Sequence, residues 1–264
     1  MKKYLVIGNP IEHSLSPELH NFWLKKYKIN ATYEKKKINI NELEDVILDI
    51  RKEKIHGLNI TVPFKKSVLT HIDKLTDLAK ATQSVNTIYK KGNFIIGDNT
   101  DVGGFESAIK NIRYNLKNKK ILILGAGGVA PSIILALIKM EVSKIILSNR
   151  TRQKAEELKK KFLDLEILNW GEMIDFDMII NATSLGLEKD ERIEINYEKI
   201  GSDKLFYDVI YNPIKTDFLI KGEMFGNQIE NGKMMFVFQA QLAFNIWHNV
   251  LPTVDKETVN FITK

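Results

Sequence analysis

The chain of 264 residues contains no cysteine. Disulfides, thiol nucleophiles and cysteine-ligated metals are therefore excluded. Its five histidines show no ligand-like pairing, so no metal site is expected. No apolar stretch is long enough to span a bilayer, and no membrane partner is expected. The run Tyr4-Leu5-Val6-Ile7-Gly8 is too short for a secretory signal and lacks a small-residue cleavage site, so it reads as a first strand. A cytoplasmic location is the corresponding expectation. Repeats and low-complexity segments are also missing. The net charge of +6, from 39 basic and 33 acidic residues, invites a nucleic-acid reading. It fails, because Lys35-Lys36-Lys37 and Lys159-Lys160-Lys161 lie beside acids with no interleaved aromatic platform. These lysines read as a solvated surface.

What the sequence does have is a glycine turn in mid-chain. The strand-like Lys119-Lys120-Ile121-Leu122-Ile123-Leu124 runs into Gly125-Ala126-Gly127-Gly128-Val129-Ala130. This fits the G-x-G-x-x-G/A fingerprint, in which a buried strand enters a helix whose first N–H groups can face a pyrophosphate. Glycines alone are weak, since a strand can enter a helix this way with no nucleotide nearby. The next strand adds to them. It ends at Asn149-Arg150-Thr151-Arg152, where an NAD site would carry an acid for the ribose 2′-OH. Here Arg150, Arg152 and Lys154 crowd the corner, and a guanidinium can hold a 2′-phosphate bidentately. The corner favours NADP over NAD. The plainer alternative is that these cations open an exposed helix over 153–161.

Alternation of strands and helices predicts an α/β chain of two domains. The first is an N-terminal, open, mostly parallel α/β domain over residues 1–102, and roughly a hundred residues ahead of the glycine turn leave room for it to hold a substrate. Strands are expected at 4–8, 31–38, 55–61, 85–89 and 94–97, with helices over 17–27, 41–51 and 64–81. The second, over 103–234, is a Rossmann-type dinucleotide-binding domain, with further strands at 144–148, 177–181 and 205–209 and weaker ones near Glu166 and Gln228. A helical pattern over 235–250 is expected to pack back on the first domain, so that 235–264 completes it.

Short polar residues crowd the ends of the first domain's apolar strands, where open α/β sheets place ligands. In Asn9-Pro10-Ile11-Glu12-His13-Ser14-Leu15-Ser16-Pro17, Ser16 reads as a helix N-cap, whereas Ser14 lacks that explanation. His13 reads as a structural hydrogen-bonder. Asn59 and Thr61 alternate with apolar neighbours and share one face. Lys65 follows at a helix start, an unfavourable place for a cation unless it has a purpose. Ser84-Val85-Asn86-Thr87 and Gly97-Asp98-Asn99-Thr100-Asp101 complete the set, with Asp98 or Asp101 open to a plain turn role.

These segments, with Asn181-Ala182-Thr183-Ser184-Leu185-Gly186 and Gln239-Ala240-Gln241-Leu242-Ala243-Phe244-Asn245-Ile246-Trp247, occur in the order seen in shikimate dehydrogenases, and the chain resembles that family from Gly8 to Trp247. The resemblance implies reversible, NADPH-dependent reduction of 3-dehydroshikimate to shikimate in aromatic amino-acid biosynthesis. It makes Lys65 and Asp101 the catalytic pair. Ser14 and Ser16 match hydroxyls that hold the substrate carboxylate. Asn59, Thr61, Asn86, Asp101 and Gln239 match contacts to ring hydroxyls, and Tyr211 matches a position that reaches substrate. For the cofactor, Gly125, Ala126, Gly127 and Gly128 match the pyrophosphate loop, and Asn149, Arg150, Thr151 and Lys154 the 2′-phosphate and ribose site. Thr183, Ser184, Gly232 and Met235 match positions near the nicotinamide. The chemistry of these residues agrees, because ketone reduction needs a hydride donor on one side and a proton donor at the oxygen.

Three positions depart from the family pattern: Ser84, Val102 and Met234 stand where glycine is common. None removes a group the chemistry needs. The alternatives are a broader quinate/shikimate dehydrogenase using NAD, a non-catalytic sensor of NADP and shikimate, and a folate-type dehydrogenase of similar layout. The serine pair, the Arg150 corner and the intact Lys65 and Asp101 weigh against them. The expected partners are small molecules, with the oligomeric state, a homodimer included, left open.

Overall fold

Tyr4-Leu5-Val6-Ile7 is apolar at every position, the pattern of a strand covered on both faces, and β1 (Lys2–Gly8) lies inside a sheet with parallel neighbours on either side. In this computed structural model, residues 1–188 and 190–262 are described. After β1 come α1 (Ser16–Lys26), β2 (Ala31–Lys37), α2 (Leu43–Arg51), β3 (Gly57–Ile60), α3 (Phe64–Ser67), β4 (Lys74–Leu75), α4 (Asp77–Thr82), β5 (Thr87–Lys91) and β6 (Phe94–Asp98). The six strands are ordered β2-β1-β3-β5-β6-β4. Leu5, Ile7, Leu58 and Ile60 from the sheet pack with Val46, Ile47 and Ile50 of α2 to form its core. The outer strand β2 is mostly exposed and ends in three lysines, which blunt an edge that could otherwise pair with another chain.

One hairpin lies within the mostly parallel sheet, and one helix differs from the sequence pattern. β5 runs antiparallel to both β3 and β6, because Gly92 (φ +60°) turns β5 and β6 into a hairpin. The single helix expected over 64–81 is interrupted. After α3 and one 3-10 turn, Ile72 becomes extended, and the Asp73 carboxylate accepts the Ile95 N–H at 2.6 Å while pairing with Arg51. That anchor lets β4 pair with β6, and Thr76 then caps α4 by accepting the Ala79 N–H.

α5 (Asp101–Asn111) crosses from this unit, which comprises 1–104 and 237–264, into a second one, 105–236. There follow β7 (Lys120–Leu124), α6 (Ala130–Lys139), β8 (Lys144–Ser148), α7 (Arg152–Lys159), β9 (Leu165–Leu168), β10 (Met178–Asn181), β11 (Leu205–Asp208), α8 (Asp217–Met224) and β12 (Gln228–Glu230). The sheet is parallel throughout, in the order β12-β11-β10-β7-β8-β9. The chain thus starts in the middle, winds outward, returns beside its first strand and winds the other way. This is the doubly wound Rossmann order, with its switch point between β7 and β10. α9 (Lys233–His248) returns the chain to the first unit, where Trp247 donates from Nε1 to the Ile88 carbonyl, and α10 (Lys256–Phe261) follows. No helix of the described residues is long and apolar enough to cross a membrane.

Candidate active site

The carboxyl ends of β1, β3 and β6, with the amino end of the antiparallel β5, gather the polar side chains of the first unit. Lys65, on α3, donates from Nζ to Asp101 Oδ2 at 2.6 Å, and both side chains are largely shielded, at 12% and 7% exposed. The other carboxylate oxygen accepts from Asn86 Nδ2 at 2.8 Å. Asn86 Nδ2 also lies 3.3 Å from Gln239 Oε1 on α9, so an ion pair, an amide and a glutamine form one connected group. Removing one partner of such a buried pair would leave an uncompensated charge.

Behind that group stands a second row. Asn86 Oδ1 accepts the Thr100 N–H at 2.8 Å, and Asn99 Oδ1 accepts the Asp101 N–H at 3.1 Å. Asn59 donates from Nδ2 to the Asn86 carbonyl and Thr87 Oγ1, and accepts from the Tyr33 hydroxyl at 2.6 Å. Thr87, Asn99 and Thr100 are buried, and the sequence pattern assigns them no role. Their signal is the polar run Gly97 to Asp101, but a turn explains such a run equally well. Asp98 is the turn residue: its Oδ1 takes the Thr76 hydroxyl and its own neighbour's N–H, that of Asn99. Thr61 is half-buried.

Ser14 and Ser16 occupy the loop into α1. Leu15, not Ser16, is the cap residue, and Ser14 Oγ accepts the Ser16 N–H at 3.3 Å, which corrects the capping expectation. Pro17 presets a helical φ in the first turn, and the helix begins at Ser16 without a side-chain cap. Lys35 steadies the loop by donating to the Glu12 carbonyl at 2.7 Å. Backbone N–H groups, and then Lys37, hold the exposed Glu12 carboxyl down at about 2. His13 is exposed and makes no side-chain hydrogen bond among the described residues, contrary to its expected structural role. The buried histidine is His20, stacked on Tyr33 with ring centroids 4.1 Å apart, and burial drives its pKa down to about 3.

The second unit places its glycine turn at the switch point. Gly125 has φ +106°, and an added Cβ would stand 2.9 Å from the Ala182 carbonyl group and 2.7 Å from Thr183 Cγ2. Gly127 and Gly128 are exposed. The Ala126 N–H is committed to Asn149 Oδ1 at 2.9 Å, and Asn149 donates in turn to the Thr151 carbonyl at 2.8 Å. Asn149 therefore braces the turn from β8. Of the basic corner, Arg152 is tied to Glu156 and to Asn169. Arg150 and Lys154 are exposed and enter no ion pair among the described residues. An anionic group is accommodated by that pattern, because two cations remain uncompensated beside the turn. Ser184 is exposed, whereas Met235 is buried. Tyr211 is half-buried and stacks on Phe236 at 4.7 Å. A Cβ on Gly232 would stand 2.0 Å from the Val209 carbonyl oxygen, so no other residue fits there. Val102 is buried in α5, Ser84 is buried with its carbonyl accepting from Thr82 and Asn99, and Met234 is half-buried.

A doubly wound parallel sheet with a glycine turn and a basic corner, on one chain with a shielded lysine–aspartate pair among hydroxyl and amide groups, defines the class: a dinucleotide-dependent oxidoreductase of the α/β type. Comparison with known proteins narrows it. Residues 6–88 match the model of the shikimate dehydrogenase substrate binding domain, and residues 106–209 that of shikimate / quinate 5-dehydrogenase. The chain is 62% identical over 261 residues to shikimate dehydrogenase (NADP(+)) of Pelagibacter ubique, covering 99% of this chain and 98% of that protein. Its fold superposes on the crystal structure of shikimate dehydrogenase from Aquifex aeolicus with a TM-score of 0.93 at 34% identity, covering 100% and 98% of the two chains. It also superposes on the Thermus thermophilus shikimate 5-dehydrogenase in complex with NADP(H) and shikimate, with a TM-score of 0.89 at 30% identity and coverage of 98% and 97%. The chain belongs to the shikimate dehydrogenase family.

Proposed function

We propose that this protein catalyses the reversible reduction of 3-dehydroshikimate to shikimate with NADPH, in the cytoplasm, as a step toward aromatic amino acids. The observation that carries the reading is the Lys65–Asp101 pair, 2.6 Å apart and shielded, at the polar ends of the first sheet. NADPH, when bound, supplies the hydride that reaches the carbonyl carbon. Lys65 meets the other requirement, since its ammonium can give a proton to the carbonyl oxygen or stabilise the alkoxide as charge develops. Asp101 holds that ammonium in place, and Asn86 and Asn99 hold Asp101.

Substrate recognition in this reading falls to Ser14 and Ser16 for the carboxylate and to Asn59, Thr61, Asn86, Gln239 and Tyr211 around the ring. For the cofactor, the turn from Gly125 to Gly128 faces the pyrophosphate. Since Ala126's amide is already taken by Asn149, backbone donation to a phosphate falls to residues beyond it. Arg150 and Lys154 take the 2′-phosphate, with Asn149 and Thr151 shaping the corner, and Thr183, Ser184, Gly232 and Met235 line the nicotinamide end.

The test is absorbance at 340 nm while the purified protein meets shikimate or quinate, each with NADP⁺ and with NAD⁺. Rapid reduction confined to shikimate with NADP⁺ is expected. Comparable rates with quinate or NAD⁺ would replace the proposal with a broader quinate/shikimate dehydrogenase. Silence with every pair, from protein that binds NADPH, would leave a sensor.

A further inference from the structure

One row across the second sheet sets Leu124 of β7, Asn181 of β10 and Asp208 of β11 side by side at the carboxyl edge. Asp208 is fully buried. Its Oδ1 accepts from Asn181 Nδ2 at 3.0 Å and from the Ile210 N–H at 2.9 Å, and its Oδ2 accepts from Thr216 Oγ1 at 2.6 Å. Burial pushes the carboxyl up to about 6, against the pull of these donors, which leaves it mostly ionised at neutral pH. An ionised acceptor fixes which way the Asn181 amide faces. Asn181 Oδ1 is then presented to Thr183, where it accepts from the backbone N–H at 3.0 Å and from Oγ1 at 2.6 Å. Thr183 Oγ1 accepts the Leu185 N–H at 3.0 Å. With its hydroxyl engaged on both sides, Thr183 turns its methyl group toward Gly125.

We propose that Asp208 is a positioning residue for cofactor binding: it orients Asn181, Asn181 orients Thr183, and the Thr183 methyl forms the wall that holds the Gly125 turn in shape. This rests on the reading of that turn as the pyrophosphate site. Asp208 touches neither cofactor nor substrate in this arrangement. Its effect is confined to the form of one loop, so it enters cofactor affinity and leaves the Lys65 chemistry alone.

Titrating NADP⁺ calorimetrically into wild-type protein and three variants, with shikimate kinetics alongside, tests the relay. Asp208→Asn replaces one acceptor oxygen with an amide donor among groups that all donate. Thr183→Val keeps the branched shape but cuts the hydroxyl off from Asn181. Each is expected to raise the NADP⁺ Kd roughly tenfold, with the KM for shikimate changed less than about twofold. Thr216→Val removes the donor to Asp208 Oδ2 and the cap of α8, where Thr216 accepts the Leu219 N–H, but leaves Asn181 on Oδ1; it is expected to lower the thermal midpoint with Kd unchanged. Should Asp208→Asn fail to fold, Thr183→Val carries the test, because Thr183 is only half-buried. An unchanged Kd in Thr183→Val or in folded Asp208→Asn overturns the proposal. So does an equal loss in Thr216→Val, which would make Asp208 a general support. Wild-type protein that binds no NADP⁺ would overturn the functional reading beneath it, and is told apart because the loss then precedes any substitution.

Discussion

The two units place polar chemistry at the carboxyl ends of their strands in opposite ways. In the first, the proposed site is made of side chains: Lys65, Asp101, Asn86 and Gln239 bond to one another, and the backbone serves to aim them. In the second, the proposed site is the backbone of the glycine turn, and side chains act as its supports. Asn149 braces Ala126 from β8, and Asn181 fixes Thr183 from β10. The physical reason lies in the ligand each suits. A pyrophosphate is met by closely packed N–H groups, which demands glycine rather than functional side chains. A ring with several hydroxyls and a reacting carbonyl needs distinct donors and acceptors placed one by one.

If that contrast is sound, substitutions in the first unit strike turnover and those in the second strike cofactor affinity. Lys65→Ala is expected to have the largest effect, lowering kcat on the order of 10²–10⁴-fold with a smaller change in shikimate KM and none in NADP⁺ KM. Steady-state kinetics at 340 nm decide it, and near-normal turnover would break the comparison at its strongest point.

The units also bury ionisable groups with opposite consequences for pH. His20 in the first, with its pKa driven to about 3 by burial and then by His248, stays neutral in the folded chain while the unfolded chain protonates below about 6.5. Stability present above 6.5 is therefore lost as the pH falls toward 3, by about 2 kcal/mol at pH 5 for this ring. Asp208 in the second is raised from 3.8 to about 6, so its contribution is full below 3.8 and is lost as the pH rises through 6. The two partly cancel in the wild type. A His20→Phe variant should leave the Asp208 behaviour exposed: urea denaturation at pH 7 and pH 5 is expected to show that the loss on acidification shrinks by about 2 kcal/mol. An unchanged difference would mean that His20 does not stay neutral.

The smallest expected effect sharpens the cofactor side. Arg150→Ala should raise the KM for NADP⁺ about tenfold, with NAD⁺ turnover and kcat little altered, since one charge-assisted contact to a phosphate is removed. Equal weakening toward both nucleotides would place Arg150 on a shared part of the cofactor instead of the 2′-phosphate.

Signals confined to a short stretch are legible in the order of residues alone. The Gly125 turn follows a strand that is apolar from Ile121 to Leu124, and the Asn149-Arg150-Thr151 corner follows the next one, so composition and spacing suffice. The order of short motifs from Gly8 to Trp247 is likewise enough to place the chain in its family, and the α/β alternation follows from the apolar runs. Less is legible where two structures share one local pattern. The stretch 64–81 has helical periodicity, yet Asp73 anchors to Ile95 and Arg51, residues far along the chain, and converts its middle into β4.

What the sequence determined by itself is which residues can donate, accept or carry charge, and where the chain must turn, because these are properties of single residues and their neighbours. Only the tertiary structure decided how that capacity is divided. Ser14 spends its hydroxyl's acceptor on Ser16, and Ala126 its N–H on Asn149. Arg152 is drawn to Glu156 and Asn169, while Arg150 enters no ion pair among the described residues. Asp208, which the sequence left unremarked, became the hub of three elements. Each polar atom has few donor or acceptor places, and partners brought together from distant parts of a chain are chosen by the packing that surrounds them.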